Sequence, residues 1–131
     1  MIPRITGFIS ILKGILFKPY TVATATGVIT ITGLVPANDV LYPQGATHMT
    51  LKGAWAKINF QTGVTQLQLS NVVNLPINTA SGNVVLTPVG TPTGVGTNLF
   101  LLEIEFFQMV NGSQYSLKNG AFNALCIVEV S

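Results

Sequence analysis

The residues able to do chemistry are few in this chain, and their spacing assembles none of the usual machinery. His48 is the sole histidine and Cys126 the sole cysteine, and they lie far apart. A zinc or catalytic metal centre draws three or four such ligands together, so no metal is expected. A Ser-His-Asp relay can be written from Asp39, His48 and one of several serines, but no Gly-x-Ser-x-Gly turn marks a nucleophile. His48 reads instead as a solvated or locally bonded residue at a strand entry. Cys126, inside Ala124-Leu125-Cys126-Ile127-Val128, reads as a small buried hydrophobe.

Glu103 and Glu105 are two positions apart in an alternating segment. On a strand that spacing puts both carboxylates on one face, about 7 Å apart, a separation that also suits paired-acid glycoside chemistry. Such enzymes bring their acids from different elements around a sugar groove, and aromatics to line a groove are scarce here. The simpler expectation is that these charges meet solvent or pair with Lys52, Lys57 or Lys118. Calcium asks for several oxygen ligands, and no Asp-rich loop supplies them. Trp55 fits a core aromatic with a satisfied indole N–H. It is also the one candidate ligand or interface aromatic, because tryptophan is enriched in binding hot spots. There is no phosphate loop, dinucleotide fingerprint or Cys-x-x-Cys. The chain is therefore read as non-enzymatic, without catalytic, cofactor-binding or metal residues.

Charge is the scarce commodity. Six Lys and Arg and four Asp and Glu make ten charged residues in 131, while 48% of residues are hydrophobic and the mean hydropathy is +0.55. An average globular sequence is about one quarter charged. A domain this short leaves a large fraction of its surface in water, so some of the apolar area is expected to face a neighbour. The formal net charge of +2 is too small for a nucleic-acid footprint. Arg4, Lys13 and Lys18 all precede the first acid, Asp39, which makes the N-terminal segment basic and the remainder nearly neutral.

That segment also carries Ile5, Phe8, Ile9, Leu12 and Leu16 at three- and four-residue intervals, the pattern of an amphipathic helix. Gly7 and Gly14 weaken a helix, leaving an extended arm as the other form, and Pro19 closes either. Lys13 interrupts the apolar run, so a cleaved leader is not expected. From Tyr20 onward the texture is that of strands. Val28–Thr32 is β-branched throughout, and Thr50–Phe60 and Val64–Ser70 flank a Gln61-Thr62-Gly63 turn. Val72–Ile77 and Asn83–Pro88 form a further pair, followed by the glycine-rich loop 89–98. Leu99–Val110 then leads through Asn111-Gly112, a strong type I′ hairpin signal, into Ser113–Leu117. Lys118-Asn119-Gly120 is a turn into Ala124–Val130. The expected core positions are Ile29, Ile31, Ile58, Phe60, Leu67, Leu69, Phe100, Leu102, Ile104 and Phe106.

The fold expected is all-β, a two-sheet antiparallel sandwich of jelly-roll or immunoglobulin-like kind. An N-terminal amphipathic arm or short helix over 1–19 precedes a sandwich domain over 20–131. Leu99–Val110 is apolar on both faces, as in a strand covered twice. The arm holds more apolar bulk than a small sandwich can absorb. The expected function is a structural subunit of a homomeric assembly, such as a phage or virus particle, a tail or an extracellular fibre. Its candidate assembly contacts are Phe8, Ile9, Leu12, Leu16, Phe17, Leu101, Phe107 and Met109, and its partners are copies of itself or other subunits of the particle. The alternative is a cell-surface or secreted binding module that uses loops 34–47 and 89–98. Contact of the arm with a membrane surface is a third possibility.

Overall fold

Strands form where β-branched, aromatic and leucine residues alternate, and they stop where glycine, proline and asparagine turn the chain. The computed structural model describes residues 15–117 and 124–131. In chain order its elements are β1 (Thr21–Ala23), β2 (Val28–Leu34), the short helix α1 (Pro36–Asp39), β3 (His48–Ile58), β4 (Thr65–Pro76), β5 (Gly82–Leu86), β6 (Thr97–Val110), β7 (Ser113–Ser116) and β8 (Ala124–Val130). They make two antiparallel sheets packed together, as an all-β sandwich requires. One is β1-β2-β5. The other is β4-β3-β6, with β7 and β8 following one another along the far edge of β6.

The core lies between the sheets. Ile29, Ile31, Leu34, Val84 and Leu86 of the smaller sheet meet Met49, Leu51, Trp55, Phe100, Leu102, Ile104 and Phe106 of the larger. Cys126 and Val128 of β8 are buried beside them. The alternation expected along β2 and β6 therefore holds: Ile29, Ile31, Phe100, Leu102, Ile104 and Phe106 are all inside.

Four expected core positions are not. Phe60 is 62% exposed, Leu67 53% and Leu69 43%, and Ile58 is only partly buried. The cause is the phase of β3. Its inner face carries Met49, Leu51 and Trp55, which fill more volume than the alternate set Lys52, Ala54 and Ala56. The latter set points outward. Leu67 and Leu69 pair directly with Ala56 and Ala54, so they share that outward face.

β4 is also a single strand rather than two, and a bulge explains why the sequence suggests a break. Lys52 pairs with Val72 and Ala54 with Leu69, leaving Ser70 and Asn71 opposite Gly53 alone. Ser70 Oγ accepts a bond from Gly53 N at 2.7 Å and donates to Asn71 O at 2.8 Å. The Asn71 amide ties β4 to the other sheet, donating to Val85 O at 3.2 Å and accepting from Thr87 N at 2.8 Å. The connection after β2 contains α1, whose Asp39 carboxylate accepts from Val35 N at 2.8 Å.

The Asn111-Gly112 turn is as expected. Both residues have positive φ, 52° and 82°, and Val110 pairs with Ser113 across it. A Cβ at Gly112 would meet nothing within 4 Å, so the effect of substitution there is purely conformational. Gly112→Val is expected to lower stability by about 1–2 kcal/mol, measured as a shifted urea midpoint. An unchanged midpoint would show that β7 contributes nothing to the cooperative fold. The turn expected at Lys118-Asn119-Gly120 lies outside the described residues, as does most of the 1–19 arm.

Candidate functional site

The register of the larger sheet fixes which side chains project from its outer face, away from the smaller sheet. Leu67, Ala56, Leu99 and Val130 form one row across β4, β3, β6 and β8. Leu69, Ala54, Leu101 and Ile127 form the next, and Val72, Lys52, Glu103 and Leu125 the third. The bulge at Ser70-Asn71 resets the parity of β4, which is why Val72 shares a face with Leu67 and Leu69. Beyond the third row, Asn74, in the row of Thr50 and Glu105, clasps Gln114 of β7, which pairs with Met109, through their amides at 2.9 and 3.1 Å.

The result is a largely apolar face whose third row carries the Lys52 and Glu103 charges between Val72 and Leu125. Leu67, Leu69, Val72 and Leu125 are 53%, 43%, 59% and 55% exposed. Together they leave on the order of 400 Å² of surface in water, within the range of the largest apolar patch on a soluble monomer, a patch that is often functional. The hydrophobic effect favours covering it. In the third row Lys52 Nζ lies 3.7 Å from Glu103 Oε1, one of the lysine pairings expected for the two glutamates. The Glu105 carboxyl is held above the usual carboxylate range, first by its hydrogen bond with Glu103, then by burial and by the Glu103 charge, while Lys52 pulls the other way. Two carboxyl groups thus share this part of the face with one lysine, joined to each other by a hydrogen bond.

The candidate assembly residues separate into groups. Leu101, Phe107 and Met109 are alternate residues of β6 and share the outer face; the first two are half-buried and Met109 is 40% exposed. Leu16 is 5% exposed and belongs to the core of its own chain. Phe17 is exposed, with its amide bonded to Asp39 O. Phe8, Ile9 and Leu12 lie outside the described residues. Trp55 is 4% exposed, stacked at a tilt on Phe100 with its indole donating to Asn98 Oδ1 at 3.0 Å. It offers no open platform. The apolar positions that single-strand reasoning missed are Leu67, Leu69, Val72 and Leu125. Their signal was the pairing of leucines with Ala54 and Ala56 on β3, which only the register discloses.

The polar candidates do not converge. His48 Nδ1 is 2.9 Å from Thr47 Oγ1, which also accepts from Met109 N at 2.8 Å, a local arrangement at the start of β3. Among the described residues no three His, Cys, Asp or Glu side chains gather where they would hold a metal ion, and no helix is long and apolar enough to cross a membrane. Loops 34–47 and 89–98 flank opposite ends of β3. The first leads into His48, and the second reaches the far end through the close approach of Gly96 to Ile58. Along an eleven-residue strand that is about 34 Å. Compared with known proteins, the chain matches no family model, no curated protein and no solved structure.

Proposed function

We propose that this chain is a non-enzymatic structural subunit that works assembled with copies of itself, in a phage or virus particle, a tail or an extracellular fibre. The observation that carries this is the outer face of the β4-β3-β6-β8 sheet. The core between the sheets is already filled, yet a second apolar layer of Leu67, Leu69, Val72 and Leu125 stands in water. A sequence with ten charges in 131 residues has little else with which to keep such a face solvated.

The finer fold belongs to the same proposal. Strand order β1-β2-β5 against β4-β3-β6-β8 corresponds to strands A, B and E facing C′, C, F and G. It supports the immunoglobulin-like arrangement over the jelly roll, preceded by the apolar, basic arm of residues 1–19. The binding-module alternative draws less support, because its two loops offer separate surfaces at opposite ends of β3 rather than one.

Light scattering of the full chain at micromolar concentration tests the proposal. The expected mass is a multiple of 13.9 kDa. One species at the monomer mass would defeat it.

A further inference from the structure

Resting on the reading that this chain assembles with itself, we propose that two copies pack outer face to outer face about a two-fold axis lying between them, parallel to β3 and β6. Two sheets that stack face to face can be related by an axis in the plane between them, and the direction of that axis decides which side chains meet. An axis along the strands and midway between β3 and β6 maps each cross-strand row onto itself while exchanging the two strands. A two-fold contact is reciprocal: if residue i meets residue j, then j meets i.

The rows fit this operation. β3 presents its small residues, Ala54 and Ala56, beside the leucines of β6, Leu101 and Leu99, with which they pair in the sheet. Exchange of the strands sets the half-buried Leu101 of one copy over the half-buried Ala54 of the other, twice, while Leu99 and Ala56, 6% exposed each, are already covered within their own chain. In the next row the same exchange sets Lys52 over Glu103 of the second copy, twice. An axis across the strands through the Lys52–Glu103 row would instead oppose lysine to lysine and glutamate to glutamate. Like charges across an interface suppress the wrong arrangement. The face is self-complementary in charge and in volume about the same axis.

Area and angle agree. Stacked sheets pack about 10 Å apart with strands offset by about 30°, and near the axis that offset displaces these residues little. Leu67, Leu69, Val72 and Leu125 supply on the order of 400 Å², and the half-buried Leu101 and Ile127 with the stem of Lys52 extend it toward the ~800 Å² that each partner of a standard interface covers.

Sedimentation velocity of the full chain across a dilution series, with four variants, tests the contact. Leu101→Lys is expected to weaken dimerisation about a hundred-fold by burying an unpaired charge, and Ala54→Leu to weaken it by filling the hollow. Lys52→Glu and Glu103→Lys touch only the half-exposed Lys52–Glu103 row and leave the core intact, so they report even where Leu101→Lys fails to fold. Each alone is expected to weaken association about ten-fold, and an equimolar mixture of the two to recover it, because each copy then offers the charge the other lacks. If the wild-type chain associates but all four variants associate equally well, the contact is overturned and assembly proceeds through another surface. If the single charge variants weaken and their mixture gains nothing, the axis is overturned. A wild-type chain that stays monomeric to about 100 µM, as when residues 1–14 cover the face of their own chain, removes this contact and the assembly reading together.

Discussion

Gly96→Ala is expected to destabilise the fold by at least about 3 kcal/mol, several times the effect of Gly94→Ala two residues earlier. Both glycines have positive φ, 155° and 93°, so both substitutions carry a conformational cost. What separates them is space. A Cβ at Gly94 would meet nothing within 4 Å, whereas one at Gly96 would stand 2.4 Å from Ile58 O, 2.6 Å from Ile58 C and 2.9 Å from Asn59 N. Those atoms are backbone at the end of β3, held there by the pairing of Ile58 with Thr97 and with Thr65. No rotamer change relieves the contact. Either the entry to β6 moves away from β3, opening the Trp55–Asn98 hydrogen bond nearby, or the strand end frays. Urea unfolding with an unchanged slope and a lowered midpoint is the expected record for Gly96→Ala. Equal midpoints for the two variants would mean that the loop slides past Ile58 at little cost.

Strand identity was legible because alternation and turn chemistry agree locally. β2, β6 and the Asn111-Gly112 hairpin each carry their whole signal within a dozen residues. The facing of β3 and β4 was not, for two physical reasons. On β3 the choice lay between Met49, Leu51 and Trp55 on one side and Ala54, Ala56, Ile58 and Phe60 on the other. Both sets are apolar, and bulk decided for the tryptophan side. On β4 the bulge at Ser70-Asn71 changes parity in mid-strand, so no single alternation describes it, and the bond from Gly53 N to Ser70 Oγ that stabilises the change joins residues 17 apart.

The same limit governs the candidate site. Leu101, Phe107 and Met109 could be read from β6 alone, since a strand apolar on both faces has one face to spare. The matching half, Leu67, Leu69 and Val72, emerged only when pairing placed it beside Ala54 and Ala56. The self-complementarity proposed for the face is argued from the register, and composition supplied only the reason to look for a neighbour.

A chain that begins at Tyr20 is expected to be roughly 2–5 kcal/mol less stable than one that begins at Ile15. The division of the sequence at Pro19 places Leu16 in the arm, yet its side chain is 5% exposed in the core and its backbone bridges to Val40. Phe17 N donates to Asp39 O and Leu41 N to Ile15 O, each at 2.7 Å, so removal of 15–19 opens a cavity and strips a partner from the segment after α1. Thermal melts of the two truncated chains should differ by roughly 10 °C or more; coincident melts would show that Leu16 adds no stability. Assembly supplies the second arm of the comparison. A two-fold contact closes on itself, so a particle or fibre built on the proposed dimer needs another, independent contact. In the assembly reading, residues 1–14 with Phe8, Ile9 and Leu12 provide it. The chain starting at Ile15 is then expected to stop at the dimer while the full chain forms larger species. If it reaches the same size as the full chain, the second contact lies on the sandwich itself, and the edges of β1 and β8, each paired on one side only among the described residues, become the surfaces to mutate next.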